Sequence, residues 1–226
     1  MGDTELVATY GDYKDFSGVK FPTKIAIAQG GFPAWELSIS AVTPNAPLEL
    51  PVPPAVASAV VPPVQVVSNA LGKGVWHLTG GSHHSLVVEF KDFIAVLEAP
   101  LSEERSLAVI AEAKKLVPNK PIKYLFTTHH HFDHTGGLRT YAAEGATIVT
   151  HASNVPYFEK TLVAPATVSP DAQSKAQKAP VFQPVTEKWE LTDGAQKIEV
   201  YATPGDIHTK EYTLLYLPVQ KVLDRK

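Results

Sequence analysis

Seven prolines fall between positions 44 and 63, at 44, 47, 51, 53, 54, 62 and 63. Proline fixes φ and offers no backbone N–H, so such a stretch excludes helix and central strand alike. The chain is therefore expected to divide into a first segment over residues 1–43, an extended connector over 44–70 and a larger domain over 71–226. In the first segment, "FPTKIAIAQ" and "AWELSISAV" alternate apolar and polar residues. Trp35, Leu37 and Ile39 share one face and Glu36, Ser38 and Ser40 the other. That alternation reads as half-buried antiparallel strands.

Beyond the connector the pattern changes to strands interleaved with helices, an α+β arrangement. "GVWHLTG" and "SLVVEFKDFIAVLEAP" read as strands, the second pair turning at Lys91-Asp92. Pro100 and Ser102 introduce a helix to about Leu116, with Leu107, Ile110, Ala113 and Val117 at helical spacing toward the sheet. Pro118 and Pro121 stop it. "IKYLFTT" is a short buried strand, "GLRTYAAEG" a helix closed by Gly145, "ATIVTH" a strand and "NVPYFEKTL" a helix. Residues 164–180 read as a surface loop. "KWELT" and "QKIEVYA" flank the turn signal Asp193-Gly194, and "YTLLYLPVQKVL" reads as a strand, a turn at Pro218 and the start of a partner strand. The sheet edge left there is expected to invite self-association.

The strand "IKYLFTT" runs straight into "TTHHHFDHTGG", which packs four histidines and an aspartate into positions 129–134. The chain contains no cysteine, so disulfides, thiolate metal sites and a cysteine nucleophile are excluded, and any metal must rest on imidazole and carboxylate. In extended backbone His129, His131 and Asp133 point one way while His130 and Phe132 point the other, a chelating face to which His134 adds a fourth donor. Gly136 and Gly137 are expected to leave room for backbone beside a ligand. The competing reading is a histidine-rich surface tract with Asp133 as a helix cap. His83 and His84, in "GGSHHSL", lie in a loop that could overhang a metal but read as ordinary solvent-exposed loop histidines, and His151, between a strand and a helix, as a cap or packing residue.

The spacing His-x-His-x-Asp-His after an apolar strand and before "TGG" resembles the signature of the metallo-β-lactamase superfamily. "GVWHLTGGSHHSLVVEF" is similar to that family's opening strands, and "TPGDIHTKEYTLLYLPVQKVL" to the region of its next metal histidine. The segment "YGDYKDFSGVKFP" resembles a β-rich extension on some exported bacterial members. The resemblance implies an αββα sandwich, its last strands and helix missing here, with an N-terminal antiparallel β extension and a zinc site at one edge. It also implies that His129, His131 and His208 hold one zinc, leaving a position open for water, and that Asp133 and His134 contribute to a second. The family's bridging aspartate would fall past Lys226, and Asp224 lies too early, so that second site is expected to be incomplete. Glu98 stands where many relatives carry aspartate, either orienting the site loops or capping the surface.

The expected function is that of a zinc-dependent hydrolase in which a zinc-bound hydroxide attacks the carbonyl of a small β-lactam, lactone, ester or thioester, with Asp133 as the catalytic proton acceptor. The alternative is a non-catalytic zinc-binding remnant. A net charge of −3 offers no basic stripe for phosphates, which disfavours a nuclease and any nucleic-acid partner. "MGDTELVATYGDY" has neither a basic start nor an apolar run, so neither a signal peptide nor a membrane partner is expected, although the resembling relatives are often periplasmic or secreted.

Overall fold

The computed structural model of the chain describes residues 2–60 and 62–224. Met1, Val61, Arg225 and Lys226, which fall within the three expected segments, lie outside the described residues. The chain divides into two compact units, Asp3–Pro62 and a larger one from Pro63 onward.

The smaller unit is an antiparallel sheet of three strands, β1 (Leu6–Phe16), β2 (Val19–Gln29) and β3 (Phe32–Ser38), in that order. Ser17-Gly18 and Gly30-Gly31 close its two hairpins, and all four residues have positive φ. That is the turn whose twist matches the strands it joins. β3 was expected to be half-buried. It is exposed along its length, with Trp35 64% accessible, because one layer of three strands has no second layer of this unit to bury a face against. The proline-rich stretch is largely extended, but Pro54–Ala57 forms a single helical turn, α1. Proline is tolerated there because the first turn of a helix needs no N–H donors.

In the larger unit, β4 (Val67–Gly72) begins inside the stretch expected to be connector. It pairs antiparallel with β5 (Val75–Thr79). β5, β6 (Ser85–Glu89) and β7 (Ile94–Leu97) continue antiparallel. From β7 the order turns parallel through β8 (Ile122–Phe126), β9 (Thr147–His151) and β10 (Val181–Val185), giving a mixed sheet of seven strands. β10 was not foreseen; its Pro184 is accommodated because the strand lies at the sheet edge. The parallel steps are crossed by α2 (Glu103–Leu116), α4 (Leu138–Glu144) and α5 (Val155–Val163), and α3 (Phe132–Thr135) is one turn directly after the histidine run. A short helix, α6 (Ala172–Ala176), forms inside the expected loop, where the Asp171 carboxylate accepts from the Ser174 amide.

α2 shows the local logic. The Ser102 hydroxyl accepts from the Arg105 amide, Glu103 and Glu104 lie in the positive first turn and Lys114 and Lys115 in the last. Its buried face is Arg105, Ser106, Val109, Ile110 and Ala113, whereas Leu107, expected to face the sheet, is 47% exposed. The stripe runs from Ser106 in steps of three and four, which leaves Leu107 on its flank.

A second sheet, of β11 (Lys188–Thr192), β12 (Lys197–Ala202), β13 (Thr213–Leu217) and β14 (Val222–Asp224), lies against the first. Two apolar layers result. Ile94, Val96, Leu125 and Ile148 meet Val109, Ile110, Tyr141 and Phe158 of the helices, while Ala95, Leu97, Phe126 and Val149 meet Ile198, Val200, Leu215 and Leu217 of the second sheet. The alternation along β7 thus divides one strand between two cores. α2, α4 and α5, the helices with a buried apolar face, all cover the seven-stranded sheet, so the described layers are helices, sheet and sheet. The outer face of β11 and β12 instead carries a charged ladder, in which Lys197 reaches Glu190 at 2.9 Å and Glu199 at 2.7 Å. No helix among the described residues is long and apolar enough to cross a membrane.

Candidate metal centre

β7 and β8 run parallel with Leu97 beside Phe126, so the residues that follow them emerge side by side at one edge of the sheet. From β8 come Thr127, Thr128 and His129; from β7 comes Glu98. The strand end is tied by three bonds to two neighbouring strands. The Thr127 hydroxyl donates to Thr150 at 3.0 Å on β9, the Thr213 amide donates to the Thr128 carbonyl at 2.8 Å, and the Thr213 hydroxyl to the Thr127 carbonyl at 2.9 Å. The last two come from β13, so the second sheet is fastened to the first at this point, and the loop before β13 carries His208 to the site.

His129 is fully buried, with Thr128 Oγ1 2.9 Å from its Nδ1. Its other nitrogen, Nε2, lies 3.1 Å from Nε2 of His208. The His131 ring sits 4.7 Å from that of His129 and 4.8 Å from that of His208. One donor atom from each of these three lies within 4.8 Å of the others. A metal bound by nitrogens at about 2.0 Å with tetrahedral geometry sets them roughly 3.3 Å apart, close to the spacing of the His129–His208 pair.

The run does not stay extended through Asp133. His131 keeps extended dihedrals and starts α3, which carries Asp133 and His134. The single expected face therefore becomes two sets, the second consisting of His83, Asp133 and His134 with donors again within 4.8 Å. His83 was read as an ordinary loop histidine. In the fold it is partly buried, and its Nε2 lies 3.1 Å from Asp133 Oδ2. No sequence spacing signalled this, because residues 83 and 133 meet only through the sheet order. His130 turns away and takes part in neither set, and His151 accepts from the Ser153 amide at 3.2 Å, the capping role expected of it.

Glu98 resolves its two readings. It is buried, and its carboxylate accepts from the Thr128 amide at 2.7 Å while lying 2.6 Å from His134 Nδ1. The side chain thereby orients both the strand end and a site histidine, at a backbone φ of +69° that a residue with a Cβ seldom adopts. The glycines have a different duty from the one expected. A Cβ on Gly136 would fall 2.1 Å from the Leu101 carbonyl oxygen, and one on Gly137 would fall 1.9 Å from Ser106 Oγ. They admit the loop after β7 and helix α2, not a ligand.

Electrostatics suit the donors to a cation. Burial, then the neighbouring His134, His131 and His208, pushes the His129 imidazole down to about 3. Burial, His130 and His208 also lower His131. Burial raises the Asp133 carboxyl, but His134, its own backbone amide, His83 and His129 together hold it below the usual carboxylate range. Neutral imidazoles and an ionised carboxylate are the forms that bind a metal without first shedding protons. The residues present fit a divalent ion.

A family model described as the metallo-beta-lactamase superfamily matches residues 78–223, well over half of the chain and all six of these donors. The chain belongs to that superfamily. Among solved structures, a metallo-beta-lactamase from Pontibacter korlensis superposes with a TM-score of 0.55 at 22% identity, over 70% of each chain. Among curated proteins, the chain is 33% identical over 89 residues to a probable hydroxyacylglutathione hydrolase of Schizosaccharomyces pombe, covering 34% of each. It is 26% identical over 155 residues to the 2,4-dinitroanisole O-demethylase subunit alpha of a Nocardioides species, covering 66% of this chain and 42% of that one. The chain thus spans less than half the length of these two relatives.

Proposed function

We propose that the chain is a zinc-dependent hydrolase acting on the carbonyl of a small substrate such as a β-lactam, lactone, ester or thioester. The observation that carries this reading is the convergence of His129, His131 and His208, three nitrogen donors from two different sheets' connections, within 4.8 Å. Zinc held by three such imidazoles lowers the pKa of water to about 7 and polarises a carbonyl. Thr128 fixes the His129 ring from behind, and Glu98 fixes His134. Asp133, ionised at neutral pH, accepts the proton of the attacking water at its carboxylate and returns it toward the leaving group. The same carboxylate would be a ligand to a second ion held by the neighbouring donors.

The test couples zinc content to turnover on a cephalosporin, a lactone, an acylglutathione thioester, 2,4-dinitroanisole and a phosphodiester. The similarity to a probable hydroxyacylglutathione hydrolase is the reason for including the thioester. The expected result is zinc uptake with hydrolysis of at least one carbonyl substrate, both lost in His131→Ala. Hydrolysis that survives in the metal-free His131→Ala variant would overturn the assignment, and zinc uptake without turnover on any substrate would assign binding alone.

A further inference from the structure

Two histidines approach Asp133 from elements far apart in sequence, and each is braced from behind. His83 has Ser82 Oγ 2.9 Å from its Nδ1 and presents Nε2 to Asp133 Oδ2 at 3.1 Å. His134 has Glu98 Oε2 2.6 Å from its Nδ1 and presents Nε2 to the same Oδ2 at 3.8 Å. The two rings stand nearly perpendicular, 5.0 Å apart at 89°, and the three donors lie within 4.8 Å of one another. One nitrogen held by an oxygen acceptor and the other turned to a shared centre is how histidines are prepared to ligate a metal. A plain ion pair explains less. A part-exposed His83–Asp133 pair stabilises little, and it gives no reason for His134 Nε2 to face the same oxygen.

We infer that His83 is the third protein ligand of a second divalent-cation site, which it completes together with Asp133 and His134. The loop between β5 and β6 supplies it. Gly80, at a φ of +106°, turns that loop where a Cβ would fall 2.2 Å from the Gln65 carbonyl oxygen. The neighbouring histidine goes elsewhere: the His84 ring packs edge-on to that of His77 at 4.7 Å. One loop thus separates adjacent histidines into a ligand and a packing residue, which provides an internal control. The donors, two imidazoles and one carboxylate, suit zinc or another borderline divalent ion and leave positions for water or substrate oxygen. The inference rests on the metal-dependent reading above, and its test is built to fail separately.

The full chain is stripped with chelator, reloaded with Zn2+ or Co2+, and assayed for bound metal by elemental analysis and for Co2+ ligand-field absorption. Wild type is expected to bind about two equivalents, and His83→Gln and His83→Ala about one, with the absorption of the lost site gone. His131→Ala should also retain about one, but with the complementary spectrum, and His84→Ala should keep both. Far-UV circular dichroism checks that each variant is folded. Wild-type content retained in both folded His83 variants overturns the inference. So does a wild type that binds a single equivalent abolished by His131→Ala, which leaves the three-histidine site standing. A wild type that takes up no metal overturns the underlying reading and this inference with it.

Discussion

Glu98 Oε2 lies 2.6 Å from Nδ1 of His134, and both residues are buried. This pair joins the end of β7 to helix α3 and decides which nitrogen of His134 faces the site. With a carboxylate accepting at Nδ1, the lone pair at Nε2 is free for a metal.

Replacing the acceptor by an amide tests that assignment. In Glu98→Gln the amide oxygen can still take the Thr128 N–H, so stability is expected to change by less than about 1 kcal/mol. The amide NH2 would face Nδ1, moving the ring proton to Nε2 and weakening metal binding by about 10–100-fold. A chelator-competition titration that shows no loss would sink the orienting role.

Acid should loosen the metal-free protein through His129. Its imidazole is at about 3 in the fold against 6.5 when free, so the unfolded chain binds the additional proton. The contribution is fully present above pH 6.5 and is lost as pH falls toward 3. Thermal unfolding of the metal-free chain between pH 8 and pH 4 should show Tm falling through this window, and His129→Gln should flatten the profile. A wild-type profile already flat would contradict the buried neutral imidazole.

Arg139 is buried and bonds the Asp171 carboxylate and the carbonyls of Thr161, Leu162 and Ala164. Burial raises the Asp171 carboxyl, but the bonds from Arg139 and Ser174 outweigh it and leave the group below its ordinary range. Arg139→Ala leaves that carboxylate and those carbonyls unpaired and should cost about 3–5 kcal/mol in denaturant unfolding. Arg139→Lys should recover little, because an ammonium cannot reproduce the planar fork.

Gly137→Ala should destabilise by about 1–3 kcal/mol, since the new methyl meets Ser106 Oγ and the Ser102 carbonyl oxygen. Ser106→Ala in the same chain should restore part of that loss, read from the denaturation midpoint. Wild-type stability in the single variant would show that α2 and the start of α4 can part without cost.

Much of this was legible in the sequence, and what escaped did so for identifiable reasons. The apolar run of β8, the Ser102 cap, Gly145 and the Asp193-Gly194 turn are local signals, and each produced the element read from it. β4 and β10 were missed because "VSNALG" and "VFQPV" are short and lack clear alternation; they are strands because neighbours pair with them. At the site, His129 and His131 were read from spacing, whereas His208, 79 positions beyond His129, rested mostly on resemblance. His83 gave only a weak signal, a loop histidine that could overhang a metal, because its approach to Asp133 depends on which strands lie side by side.

The junction where Thr213 of β13 bonds the end of β8 gives metal binding a mechanical side. An ion that grips His129 and His208 also staples the two sheets, closing a 79-residue span of chain at its mouth. Chelation is then a lock on interlayer sliding, and any slip in how the sheets seat on one another would reach the reaction centre as altered affinity before it appeared as unfolding.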